Sequence, residues 1–418
     1  MQPALSSLAD RSGGVDDAGQ ERIDLLGLTR SAMRDFLASM GEKPYRGDQI
    51  LKWIYHRNAS DFSKMTDLGK TLRAKIATRA AIVPPRVVSD RLSADGTRKW
   101  LFELDCGNCV ETVHIPDGDR GTLCISSQVG CALNCSFCAT ARQGFNRNLR
   151  TPEIVAQIWL AQQLLENEGE SQSDARRNIT NVVLMGMGEP LLNLAGVIPA
   201  LELMLDDLAF GLARKKITLS TAGVVPGIRS LARRCPVSLA VSLHAPDNPL
   251  RDVLVPINRK YPIEVLLDAC REFAQSLPRQ KITFEYVMID GVNDSLDHAR
   301  RLIERLIDIP AKVNLIPFNP FVGIPYRRSD LTTIERFRER LMGAGLMTVT
   351  RKTRGDDIDA ACGQLAGRVV AKGRRSAAKK GAMPTSTVPS PRELVSKPLA
   401  ASRAASRACR SPIDSPSG

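Results

Sequence analysis

Residues 122–140 read TLCISSQVGCALNCSFCAT, and the fold follows from how this stretch is built. Its first five residues form a short β-prone run. A polar loop comes next, then Cys131, Cys135 and Cys138 in the spacing C-x3-C-x2-C. Thiolates are the protein ligands of iron–sulfur clusters. Three of them this close can hold three irons and leave a fourth open to chelate a substrate and pass it an electron. Zinc is the alternative occupant. A structural zinc takes four ligands. Cys106 and Cys109 would have to join Cys135 and Cys138 across a gap longer than zinc-ribbon spacing.

Downstream, short apolar strands alternate with helical patterns. Strands are expected at 122–126, 179–185, 216–220, 237–243, 281–289 and 313–317. Helices are expected from Thr151, with Pro152 in the first turn, and near 194–208, 224–234, 263–276, 295–307 and 331–342. Six strand–helix units imply an α/β fold with a parallel sheet. Right-handed crossovers make a partial (β/α)6 barrel its natural closure, with a doubly wound open sheet as the alternative. Polar residues cluster after the strand ends: Gly188 and Glu189, Ser220, Ser242 and His244, and Asn319. In parallel barrels active sites lie at that carboxyl end, so these groups are expected to meet beside the cysteine loop.

Upstream, 84–120 reads as a short β-rich linker, with strands at 86–93, 99–104 and 109–115 and turns at Asp95-Gly96 and Cys106-Gly107-Asn108. Alternation in the last strand puts Cys109, Glu111, Val113 and Ile115 on one face, so a carboxylate sits among apolar neighbours. Residues 23–83 read as a small helical domain, with Ile50, Leu51, Trp53 and Ile54 on one apolar face. Residues 1–22 are expected to be a disordered leader. The barrel is expected to occupy 121–370, and 371–418 to be a basic disordered tail.

The chain has 418 residues and a formal charge of +13. From Ala371 onward ten Lys or Arg face only Glu393 and Asp414, a net of +8, which leaves +5 for the rest. A basic balance points to a polyanionic partner, RNA or DNA first, while a merely solubilising tail is the plainer reading. No apolar run reaches the length of about 18 residues that a membrane span needs. The start has neither a basic stretch nor an apolar core, so no secretory signal is expected and the cytoplasm is the default. In such a chain ten cysteines do not read as a disulfide framework.

The cysteine triplet, with Phe137 before its last member, is similar to the signature of the radical S-adenosylmethionine superfamily. The stretches LCISSQVGCALNCSFCATARQGFNRNL, LMGMGEPLLN, TLSTAGVVPGI, AVSLHAPDNPLRDVLVPIN, NLIPFNP and TRGDDIDAACGQL resemble, in order and spacing, the RlmN/Cfr family. The resemblance runs from about Leu25 to Val370. It implies a barrel of the radical SAM type, a 4Fe–4S cluster on Cys131, Cys135 and Cys138, and S-adenosylmethionine used twice per turnover. It implies that Gly188, Glu189, Ser220, Ser242, Leu243, His244 and Asn319 contact S-adenosylmethionine. It makes Cys362 the thiol that becomes methylated, Cys124 its disulfide partner and Glu111 the proton acceptor.

The implied reaction is methylation at C2 of an adenosine in the peptidyl-transferase centre of 23S rRNA and of the adenosine next to the anticodon of tRNA. C2 lies between two ring nitrogens and is electron-poor, so a carbon radical can add where a methyl sulfonium cannot be attacked. Residues 23–83 would be the accessory RNA-binding domain, made basic by Arg46, Lys52, Arg57, Lys64, Lys70, Arg73 and Lys75. An electron donor of the flavodoxin or ferredoxin type is implied, no membrane partner is expected, and a monomer is expected.

Plainer readings stand beside these. By residue type alone Cys124 and Cys362 read as packed core cysteines. His244 reads as a satisfied histidine at a strand end, and Glu111 as a salt-bridge partner. Within the family, methylation at C8 uses the same cysteines. A metal-stabilised RNA-binding protein without catalysis is the reading from another class.

Overall fold

A computed structural model describes residues 12–15, 21–166 and 178–367. The tail at 371–418 and most of the expected leader lie outside the described residues. Within the leader, β1 (Ser12–Val15) pairs antiparallel with β2 (Glu21–Asp24). β2 also pairs with β3 (Ala80–Ala81), so the small N-terminal module carries a three-stranded sheet beside its helices.

Those helices are α1 (Arg30–Ser39), α2 (Tyr45–His56) and α3 (Lys70–Ala77). The expected face of α2 is the buried one: Ile50, Leu51, Trp53 and Ile54 are all buried. Two hydrogen bonds fix the module. Tyr55 Oη donates to the Leu26 carbonyl, and Trp159 Nε1 donates to the Ile54 carbonyl, both at 2.8 Å. Arg30 Nε adds a 2.9 Å bond to Asp206. The module is therefore docked on the larger domain.

The stretch expected as a linker is part of the main sheet. β4 (Arg86–Leu92), β5 (Arg98–Glu103) and β6 (Cys109–Asp117) form an antiparallel meander that continues into β7 (Arg120–Cys124). A short hairpin of β8 (Gln128–Gly130) and β9 (Phe145–Asn148) brackets the cysteine loop and α4 (Ala139–Arg142).

From there the chain alternates. It runs through α5 (Thr151–Glu166), β10 (Asn181–Leu184), α6 (Leu194–Leu205), β11 (Ile217–Thr221), α7 (Val225–Arg234) and β12 (Ser238–Ser242). It continues with α8 (Asn248–Leu254), α9 (Ile263–Ser276), β13 (Ile282–Met288), α10 (Leu296–Leu306), β14 (Ala311–Pro317), α11 (Leu331–Gly343) and β15 (Met347–Thr350).

The ten strands lie in the order β15-β14-β13-β12-β11-β10-β7-β6-β5-β4. From β7 to β15 every pairing is parallel, the strand–helix pattern of an incomplete barrel. β15 is a seventh parallel strand that sequence reading did not anticipate, and α8 was likewise missed. β15 is four residues long and exposes Met347 and Val349, so it has little apolar pattern to read.

Period-two alternation sorts the sheet residues. Leu219, Val241, Phe284, Val313 and Leu315 are at most 2% exposed and face the helices. The opposite face is polar, and register aligns it: Ser242 opposes Glu285, and Glu285 opposes Asn314. Across the antiparallel side, Val113 opposes Cys124 and Lys99, and Glu111 opposes Leu101. Cys124, Lys99 and Glu111 therefore share one face. Among the described residues no helix is long and apolar enough to cross a membrane.

Candidate active site

The cysteine loop leaves the sheet after β7 and is shaped by backbone contacts. Gly130 adopts φ +72°, and a Cβ there would lie 1.8 Å from the Gly144 carbonyl oxygen, so only glycine fits. Cys131 N donates to Gly144 O at 3.2 Å, and Cys138 N to Cys135 O at 3.2 Å. Burial pushes the Cys131 thiol up to about 12, and the Cys135 and Cys138 thiols up as well. Each of the three feels at least one of the others, and none is in a disulfide.

Among the described residues no three Cys, His, Asp or Glu side chains close on a point that would hold a single metal ion. That is compatible with a cubane, in which each cysteine ligates a different iron. The donor set therefore fits an iron–sulfur cluster: three soft thiols on one loop with no fourth ligand among them.

Beside the loop lies a cavity of about 140 Å³. Ser220, Ser242, His244 and Asn319 line it, together with Phe137, Cys138 and Cys362. His244 is buried with a left-handed φ of +60°, a conformation uncommon outside glycine. Its Nδ1 accepts the Val287 N–H at 3.0 Å, which places the imidazole proton on Nε2. Burial lowers its pKa to about 3, so the ring is neutral across the physiological range. Phe137 packs edge-on against it, with centroids 4.7 Å apart.

The other expected contacts are less direct. Leu243 is fully buried in the core and is not among the residues lining the cavity. Gly188 and Glu189 are not among the residues lining the cavity. Glu189 instead links two strand ends: its carboxylate accepts from Ala222 N at 2.7 Å and from Leu191 N at 3.1 Å. Burial raises it to about 7. Gly188 has φ +99°, and a Cβ there would meet the Gln128 side chain at 2.4 Å.

Cys362 sits on a loop held by many polar contacts. Asn319 Nδ2 donates to Cys362 O at 3.3 Å, and Ala139 N, next to the last cluster cysteine, donates to Gly363 O at 2.8 Å. Thr140 Oγ1 donates to Leu365 O at 2.6 Å. Cys124 is buried, and its thiol is pushed up to about 12 by burial first and by Cys362 second. Cys362 therefore lies within electrostatic reach of Cys124. Both are free, and among the described residues there is no disulfide, so the bond expected between these two is not formed in this structure.

Glu111 lies on the far side of that loop. Its Oε1 is 3.2 Å from Lys99 Nζ, and its Oε2 accepts from Ala366 N at 2.8 Å. It lines a second, open cavity of about 720 Å³ with Arg91, Lys99, Phe321, Val322 and Gln364. The plain salt-bridge reading is met in this conformation, and the carboxylate does not share the Cys362 cavity.

Sequence reasoning missed two charged residues of the inner cavity, Glu285 and Arg351. Glu285 is 4% exposed and accepts from Asn314 Nδ2 at 2.7 Å. Arg351 feels Cys362, Glu285 and Cys124 together. The signal for Glu285 was legible, since it is a carboxylate inside the apolar run FEYVM. Arg351 follows the unrecognised β15 and had no such signal.

Comparison with known proteins adds the following. Residues 23–82 match the ribosomal RNA large subunit methyltransferase N-terminal domain, and residues 125–303 match the radical SAM superfamily. A crystal structure of a radical SAM methyltransferase from Sphaerobacter thermophilus is 43% identical, with a TM-score of 0.76 over 82% of this chain and 98% of that one. Two looser likenesses are a domain of a pyruvate-formate lyase-activating enzyme from Bacteroides vulgatus and Streptococcus suis SuiB bound to S-adenosylmethionine. The first is 18% identical at TM-score 0.32, over 41% of this chain and 99% of that one. The second is 16% identical at 0.38, over 55% and 47%. Both overlap too loosely to bear on function.

Proposed function

The chain belongs to the RlmN/Cfr-type family of radical SAM methyltransferases, and from that premise we propose that it methylates C2 of an adenosine in 23S rRNA and of the adenosine beside the anticodon in tRNA. The carrying observation is that Cys362, a free thiol within electrostatic reach of the free Cys124, lines the cavity of Ser220, Ser242, His244 and Asn319.

In this reading Cys131, Cys135 and Cys138 hold the 4Fe–4S cluster, and the cavity residues hold S-adenosylmethionine. When bound, the two together supply one-electron cleavage of the sulfonium and hence hydrogen abstraction from carbon. The cavity walls orient the cosubstrate and exclude water. Neutral His244 offers Nε2–H as a donor.

Cys362 sulfur takes a methyl group by displacement, and that carbon is later joined to adenine C2. Glu111 takes the C2 proton. To do so it must leave Lys99 and the Ala366 N–H, a change the arriving nucleotide would bring. Cys124 then attacks the Cys362 sulfur: an S–S bond forms, the Cys362 S–C bond breaks, the Cys124 proton ends on the freed methylene carbon to complete the methyl group, and the one surplus electron of the adduct would return to the oxidised cluster when bound. The disulfide is a turnover product for an external reductant to reopen.

The loop has two faces. Cys362 and Gly363 line the inner cavity, while Asp359, Gln364 and Ala366 line the outer one. The outer cavity is the entry for a splayed base, with Arg91 and Lys99 suited to phosphate and Phe321 to stacking. Two uses of S-adenosylmethionine per turnover, a flavodoxin- or ferredoxin-type donor, a monomeric state and a cytoplasmic location belong to the same reading. The test is to digest RNA from a strain lacking the gene and from one complemented with it, and to locate the methyl group by mass spectrometry. 2-Methyladenosine restored in both RNAs is expected. A methyl group at C8, or unchanged RNA, refutes the assignment.

A further inference from the structure

Arg251 on α8 is a charged side chain fully enclosed in the interior, at 0% exposure. Its Nε donates to Leu243 O at 3.0 Å and its Nη1 to Asn258 Oδ1 at 2.9 Å. Its Nη2 donates to Ala222 O at 2.7 Å and to Ser242 O at 3.0 Å. Every one of these partners is a neutral oxygen. Among the described residues no carboxylate forms an ion pair with it. Asp252 makes no hydrogen bond to it: it is bonded to Asn258, whose amide donates to Asp252 Oδ1 at 2.7 Å, and attracts the guanidinium only at longer range.

Hydrogen bonds satisfy the guanidinium but do not neutralise it. An arginine does not shed its proton in proteins. An uncompensated buried charge costs several kcal/mol, so a fold that keeps one has a counter-charge or a use for the field. The direction of that field follows from α8. Its last residue, Leu254, accepts the Ser136 N–H at 3.1 Å, so the helix is bonded to the cysteine loop next to Cys135. Leu250 and Leu254, on either side of Arg251 in sequence, pack in one apolar cluster with Cys131 and Cys135.

Three thiolates on a 4Fe–4S core carry a net negative charge, and reduction adds one more unit. Resting on the family reading of the cofactor, we propose that Arg251 is the buried counter-charge of the cluster held by Cys131, Cys135 and Cys138, and that its charge favours the reduced state. Cluster potentials respond to net charge, hydrogen bonding and solvent exposure, and a desolvated cation acts through the first of these. The same guanidinium clamps the carbonyls at the ends of β11 and β12. It is therefore a positioning residue for Ser220, Ser242 and His244 as well.

The experiment separates charge from clamping. The full chain is reconstituted without oxygen as wild type, Arg251→Gln and Arg251→Lys, its iron is counted, and each protein is titrated with dithionite while the reduced cluster is followed by electron paramagnetic resonance. Arg251→Gln, which keeps donors but no charge, is expected to load iron and to show a lower midpoint potential. The expected drop is at least a tenfold change in the one-electron equilibrium, about 59 mV. Arg251→Lys, which keeps the charge, is expected to stay within about threefold of wild type on the same scale. An unchanged potential in Arg251→Gln overturns the proposal, as does a drop in Arg251→Lys equal to that in Arg251→Gln. If Arg251→Gln takes up no iron, Arg251→Lys decides: a wild-type potential supports the proposal and a lowered one overturns it. Wild type that binds no iron would instead refute the cofactor reading itself, before any variant is compared.

Discussion

Two cavities meet at the loop that carries Cys362, and they treat charge differently. The inner one, about 140 Å³, holds Arg351, yet burial drives His244 down to about 3, Glu285 up, and nearby Cys124 up to about 12. The outer one, about 720 Å³, keeps a charged Lys99–Glu111 pair and exposes Arg91, and Val322 at its rim is 99% exposed. A small walled chamber suits radical chemistry, because it limits which C–H bonds a reactive carbon can reach and so suppresses side reactions. A wide basic mouth suits a polyanion arriving from solvent. The loop between them lets one thiol serve both.

The largest effect that could break this division is on the thiols. Cys362→Ala should abolish methylation and leave no covalent RNA. Cys124→Ala should also end turnover, but only after the RNA is joined to Cys362, giving a nuclease-sensitive mass shift. A merely structural Cys124 would give a less stable enzyme that still makes product and traps nothing.

Next comes the outer cavity. Glu111→Gln should lower the single-turnover rate by about 10²–10⁴-fold, the usual range for a positioned acid–base group. Iron content should be unchanged. A rate within a fewfold of wild type would reduce Glu111 to the salt-bridge role it has in this conformation.

The Lys99–Glu111 pair is itself sharpened by stability. Both side chains are at most 10% exposed, so Lys99→Met strands a buried carboxylate and should cost about 3–5 kcal/mol in urea unfolding. The double variant Lys99→Met, Glu111→Gln should lose less than the two single losses combined. Strict additivity would show that the two do not act as a pair.

A smaller effect is expected from Phe321, whose ring carries the Arg142 guanidinium 5.2 Å from its centroid. Phe321→Ala should weaken RNA binding by about 1–3 kcal/mol, the range for one stacked base, with cluster content intact. Unaltered affinity in a filter-binding assay would remove stacking from the outer cavity.

The most gradual effect is a pH slope. Burial sets the folded pKa of His244 at about 3, below its unfolded value of about 6.5. Between those values the unfolded chain binds the extra proton, so stability falls as pH drops through the window. The slope reaches at most about 1.4 kcal/mol per pH unit. His244→Gln should lack that slope. Identical acid-unfolding profiles for the two proteins would mean that His244 is not held neutral.

Legibility differed between these regions for physical reasons. The cysteine triplet was readable because all three thiols lie on one loop, and local spacing is a property of the chain. The face of α2 was readable because 3.6-residue periodicity is local too. The meander of β4–β6 was recognised as strands but taken for a linker, since nothing in a strand says which sheet it joins. β15 was missed because an edge strand with exposed Met347 and Val349 has no apolar pattern. Glu285 was overlooked although the argument applied to Glu111 applied to it equally.

The sequence by itself determined the alternation of strands and helices, the cluster-binding loop and the polar residues at the strand ends. These depend on residues near one another along the chain. Only the tertiary structure decided that Cys124 and Cys362, 238 positions apart by number, lie within electrostatic reach of each other and of Arg351. Only it paired Glu111 with Lys99 and placed the pair on the other side of the loop. It alone enclosed Arg251 without a carboxylate. Burial and the sign of the surrounding charge are set by every element packed around a group, and those elements meet only when the sheet has curved and the loop has docked.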